Sequence, residues 1–119
     1  TLQIIDMREL PAKLTVVYDQ RDIFRTAHNI FIDTTAAKLY ALTARGDLNG
    51  YAPLRIFDIS NPVNPIVLGD YNDFGGIQSS HVHDAYVDNN IAFLTTIHFA
   101  FEFYLSNLEH YLSKKFTAK

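Results

Sequence analysis

The stretch Leu54-Arg55-Ile56-Phe57-Asp58-Ile59-Ser60-Asn61-Pro62-Val63-Asn64-Pro65 sets the reading of this chain. Strand alternation puts Leu54, Ile56 and Asp58 on one face and Arg55, Phe57 and Ile59 on the other. Two prolines within residues 60–65 forbid a helix and remove ladder donors, so the strand must end in a turn. An imperfect copy, Leu2-Gln3-Ile4-Ile5-Asp6, stands 52 residues earlier. A second pattern behaves alike: His83-Asp84-Ala85-Tyr86-Val87-Asp88 repeats His28-Asn29-Ile30-Phe31-Ile32-Asp33 at a distance of 55 residues. Periods of this size mark repeat architectures, in which one unit cannot bury its apolar face alone and stacks on its neighbours.

Outward from these strings, further β-rich runs follow at short intervals. Residues 14–18 form one beyond the Pro11 breaker, and residues 38–42 another. Residues 66–68 resume a strand after the proline turn, and residues 91–95 complete a hairpin across Asp88-Asn89-Asn90. Residues 44–53, with Gly46, Asp47, Asn49, Gly50 and Pro53, read as a loop, as do residues 72–80. Eight short strands with regular turn signals indicate an all-β fold. Four strands in about 50 residues is the size of a propeller blade, whereas solenoid repeats are usually shorter.

The expectation is therefore a set of antiparallel four-stranded β-propeller blades. Residues 1–25 supply the second half of one blade and residues 26–72 a complete one. Residues 81–119 supply a third, either degraded or reduced to half a blade plus a short C-terminal helix. For the strand alternative, residues 101–107 align with 54–61 once the Asp58 position is deleted. For the helix alternative, Ser106 and Glu109 form an S-x-x-E capping box, with Leu105, Leu108, Tyr111 and Leu112 on one face. About two and a half blades cannot close a ring, which takes at least four. The chain opens at Thr1 inside a strand-like pattern, without an initiator Met, and is read as a piece of a longer protein.

Composition bounds the function classes. A hydrophobic share of 48% with 19% charged residues is a globular balance. The formal charge of −3 argues against nucleic acid, which needs a clustered basic surface. The absence of cysteine excludes disulfides, thiolate metal sites and thiol nucleophiles. No apolar run approaches the ~20 residues of a membrane span. The serines sit in no G-x-S-x-G context, and no phosphate-cradling glycine loop is present.

The string Leu54-Arg55-Ile56-Phe57-Asp58-Ile59-Ser60-Asn61-Pro62-x-x-Pro65-x-x-x-Gly69-x-Tyr71 resembles the LVIVD repeat of bacterial surface β-propellers. Ala27-His28-Asn29-Ile30 with Lys38-Leu39-Tyr40-Ala41, and then His83-Asp84-Ala85, resemble its choice-of-anchor B group. The resemblance runs from about Thr26 to Thr96. The first copy lacks the P-x-x-P turn, and the third lacks both the Asp and the prolines. What it implies is a secreted or cell-surface propeller of undefined biochemical role, with the remaining blades supplied by the parent chain.

Propeller geometry nominates a site. The first strand of each blade lies innermost, so His28-Asn29 and His83-Asp84 are expected to meet at one channel mouth, with His81 on the same face as His83 if the strand begins early. His28, Asn29, His81, His83 and Asp84 are the ligand-binding candidates, joined by Phe74 in the glycine-rich loop. Within this set His28, His83 and Asp84 could ligate zinc or another divalent metal, the one cofactor expected if there is any. The competing role for these side chains is structural, fixing the spacing of blades. Asp6, Asp33, Asp58 and Asp88 each end a strand and are expected to cap the following turn. With no catalytic constellation, the expected function is a non-enzymatic binding or scaffold module for a protein or glycan. A metal-dependent enzyme built on the histidines is the alternative.

Overall fold

Alternating β-branched and aromatic residues, punctuated by Asx and proline turns, form nine strands in the computed structural model, which describes residues 1–72, 81–96 and 103–105. β1 (Leu2–Asp6) and β2 (Thr15–Gln20) make a two-stranded sheet. β3 (Asn29–Asp33), β4 (Lys38–Gly46), β5 (Gly50–Asp58) and β6 (Ile66–Tyr71) make a four-stranded one in sequence order. β7 (Val82–Asp88), β8 (Ile91–Thr96) and β9 (Phe103–Leu105) make a three-stranded one. Every pairing is antiparallel, and the described residues include no helix. The three sheets close no ring among the described residues.

The inner strands of the middle sheet, β4 and β5, are buried on both faces over most of their length, which accounts for their near-continuous apolar runs. Tyr40, Leu42, Leu54 and Ile56 pack against Val82, Val87, Ala92 and Leu94 of the third sheet. Leu39, Ala41, Ala44 and Phe57 pack against Leu2, Ile4 and Tyr18 of the first, with Phe24 from the linker between β2 and β3. Simple alternation would send Leu42 and Ala44 to the same side. Thr43 prevents this by taking a left-handed conformation (φ 51°) opposite Pro53, so the chain switches faces there. For a β-branched residue that conformation costs about 1–2 kcal/mol. The Thr43 hydroxyl donates to the Val82 carbonyl at 2.9 Å, and this bond ties the strained residue to the third sheet.

The two similar strings at residues 2–6 and 54–58 also share a backbone irregularity. A bulge falls between Ile4 and Ile5 in the β1–β2 ladder, and another between Ile56 and Phe57 in β5–β6. These are corresponding positions in the two copies, and bulges bend and twist a strand at a set point. The Asp88–Ile91 hairpin turns through Asn89 and Asn90 at φ 48° and 62°, the type I′ geometry expected of an Asn-Asn turn.

Three sequence readings need correction or placement. Residues 44–53 are not a loop: β4 and β5 run on through most of them and leave a tight connection between Gly46 and Gly50. Gly46 is there for space, since a Cβ would sit 2.6 Å from the Asp22 carbonyl oxygen and 2.8 Å from that of Ile23. Phe103–Leu105 is strand, paired with Ala92–Leu94. Phe74, Ser106 and the proposed C-terminal helix lie outside the described residues, as does most of the glycine-rich loop.

Candidate functional site

The first strands of the middle and third sheets, β3 and β7, lie side by side. Residues at corresponding places in the two repeats therefore touch. Asn29 Nδ2 donates to Asp84 Oδ1 at 3.1 Å, across a separation of 55 residues. Each of these side chains also accepts from the next backbone N–H of its own strand: Ile30 N to Asn29 Oδ1 and Ala85 N to Asp84 Oδ1, both at 2.8 Å. Two copies of one local conformation are thus joined by one hydrogen bond. Phe31 and Tyr86, the next matching pair, meet edge to face with ring centroids 6.0 Å apart.

The histidines gather at the N-terminal ends of the same strands. The His28 ring centroid lies 4.6 Å from those of both His81 and His83, at interplanar angles of 70° and 55°. His28 is held by its own N–H, which donates to the Leu42 carbonyl at 2.8 Å. His83 is the extra residue of a bulge between Val82 and Asp84, and a bulge re-aims the side chain it carries. His28 and His83 are exposed, whereas His81 is half-buried with its Nε2 shielded from solvent. The result is a cluster of three imidazoles, two of them exposed, beside the residues that make the Asn29–Asp84 bond. Such groups stack on planar or sugar surfaces and hydrogen-bond hydroxyls, amides and carboxylates.

Five of the six residues singled out from sequence are thus brought into one neighbourhood; Phe74 is the one that lies outside the described residues. The trio His28, His83 and Asp84 shares that neighbourhood, but Asp84 Oδ1 is engaged by Asn29 and the Ala85 N–H. Among the described residues no three His, Cys, Asp or Glu side chains are arranged to hold a metal ion.

The strand-ending aspartates behave as turn caps. Asp33 Oδ1 accepts from the Thr35 and Ala36 N–H groups at 2.9 Å, and Asp58 Oδ1 from Ser60 N at 2.8 Å. The hydrogen bonds from Ser60 hold the Asp58 carboxyl below its usual range. Asp6 caps the Arg8 N–H at 3.0 Å and also takes the Arg8 guanidinium, whose hydrogen bonds lower its pKa from 3.8 to about 2. Asp88 differs: its Oδ2 accepts from the Asn89 side chain at 3.1 Å.

Arg55 carries a role the sequence reading missed. Its side chain is fully buried, and Nε and Nη2 hold the two Asp70 oxygens at 2.7 and 2.8 Å. Nη1 and Nη2 also donate to the carbonyls of Ile23 and Asn49, each at 3.0 Å. The guanidinium thereby pins β6, the β4–β5 turn and the linker to β3 around one point. The sequence holds only one hint of it: Arg55 shares a strand face with the apolar Phe57 and Ile59.

Comparison of the chain with protein-family models, with curated proteins and with solved structures finds no match.

Proposed function

We propose that this chain is a non-catalytic binding or scaffold module, part of a β-propeller of the extracellular or cell-surface kind, which meets its partner at the histidine surface. The observation that carries the reading is the contact of corresponding residues across neighbouring sheets: 28 with 83, 29 with 84, 31 with 86. Repeats arranged about an axis bring corresponding positions of their innermost strands together in this way. The same arrangement places exposed His28 and His83 beside each other at one end of both strands. The ligand class is a protein or glycan offering hydroxyl, amide or carboxylate groups to the imidazoles.

Defined glycan and peptide arrays probed with the labelled chain test this, beside the His28→Ala/His83→Ala variant. Saturable binding by the wild type that the variant loses, at an unchanged melting temperature, is the expected result. Binding that survives in the variant would move the contact surface elsewhere.

A divalent metal is the second reading, favoured by two imidazoles centred 4.6 Å from a third. In it His81, rather than Asp84, joins His28 and His83, after side-chain rotation brings their nitrogens together. Dialysis against zinc followed by elemental analysis decides it: near-stoichiometric metal in the wild type and none in the double variant supports the site.

A further inference from the structure

Two adjacent residues of β4 hold both of the segments that carry the histidines. The Leu42 carbonyl accepts from the His28 N–H at 2.8 Å. The Thr43 hydroxyl donates to the Val82 carbonyl at 2.9 Å, and Val82 stands between His81 and His83 in the chain. Val82 is itself fully buried in the core shared by the middle and third sheets. Its carbonyl is therefore a fixed point for the rings on either side of it. The bonds made by residues 42 and 43 thus bear on both sides of the cluster, in which the His81 and His83 ring centroids each lie 4.6 Å from that of His28.

The identity of residue 43 is the informative part. The left-handed backbone there (φ 51°) lets β4 switch faces, and glycine takes that conformation without strain. A β-branched residue is poorly suited to it, and residues held in such regions cluster at active sites, ligand clamps and switches. What threonine has and glycine lacks is a hydroxyl, and this hydroxyl is bonded to the carbonyl between the two histidines. The face switch by itself needs no donor there. We infer that Thr43 is a positioning residue, holding residues 81–83 so that both of their imidazoles meet His28. Its use in binding rests on the histidine cluster being the contact surface. Its test needs neither partner nor metal, so the two readings fail separately.

Nuclear Overhauser effects between the histidine rings of the full chain test it, with thermal melts of Thr43→Gly, Thr43→Val and Thr43→Ser alongside. The Gly variant removes hydroxyl and strain together, the Val variant removes the hydroxyl and keeps the branching, and the Ser variant keeps the hydroxyl. The effects linking His28 to His81 and to His83 are expected in the wild type and the Ser variant, and lost in the Gly and Val variants. The Gly variant is expected to melt within a few degrees of the wild type, because the strain it releases offsets the lost hydrogen bond. Ring contacts that survive in the Gly variant overturn the inference, as does their absence from the wild type or the Ser variant. So does a Gly variant that melts far below the wild type, since the hydroxyl then serves stability rather than placement. Should the Val variant fail to fold, the Gly and Ser variants carry the test between them.

Discussion

At the scale of single residues, the buried Arg55 concentrates the largest electrostatic stake. Its charge is tolerable because Asp70 and two carbonyls surround it. Removing the carboxylate by Asp70→Ala strands a buried cation. The expected loss is about 3 kcal/mol, the low end for a broken buried pair, because the Asp70 side chain is 30% exposed. Urea unfolding should show a lower midpoint at an unchanged slope, and Arg55→Met in the same chain should recover part of the loss. Asp6 makes a second prediction at this scale. Its folded-state pKa of about 2 lies below the ordinary value, so its contribution is fully present above about pH 4. That contribution fades as pH falls through 2. A carboxyl-carbon NMR titration should place the Asp6 midpoint near 2, and Arg8→Ala should return it toward 3.8.

Among elements, the hairpin between β7 and β8 is the most local in its causes. Both turn residues take positive φ, where asparagine is tolerated and glycine is at ease. Asn90→Gly should therefore raise stability by about 0.5 kcal/mol, seen as a small upward shift of the melting temperature, with the ladder unchanged. The elements also show what the sequence displayed and what it hid. β1, β7 and β8 are legible in alternation and turn residues because each has a face or edge near solvent. The far half of β4 and the start of β5 are not, because Gly46, Asn49 and Gly50 look like loop punctuation. Gly46 is instead required by the backbone of residues 22 and 23 passing close over it. There β4 is paired with β5 on one side and bridged at Arg45 to Thr26 on the other.

Over the whole molecule, the contact between Asn29 and Asp84 joins the two similar strings that open β3 and β7. Asn29 supplies the donor and Asp84 only accepts. Asn29→Asp should set two carboxylates against each other and cost about 1 kcal/mol at neutral pH, a modest figure because both residues are exposed. Repulsion raises the pKa of one carboxyl in the folded state, so the penalty applies above that pKa and disappears as pH falls through it. Adding Asp84→Asn restores a donor, now on the other strand, and should restore the wild-type melting temperature at pH 7. A double variant no better than the single one would mean that the two side chains do not bond across the sheets.

The sequence by itself determined the all-β class, the turn caps at Asp6, Asp33 and Asp58, and the matching strings whose residues meet between β3 and β7. Those features follow from alternation, turn chemistry and spacing, which are local or periodic and so are written along the chain. The tertiary structure alone decided that β4 and β5 are covered on both faces and that Arg55 is buried against Asp70. It also decided that Thr43 reverses the alternation of β4 and that Asp84 turns to Asn29 within the histidine neighbourhood. These depend on which surfaces cover one another. A strand carries the same pattern whether its outer face meets water or another sheet, until the neighbouring sheet is in place.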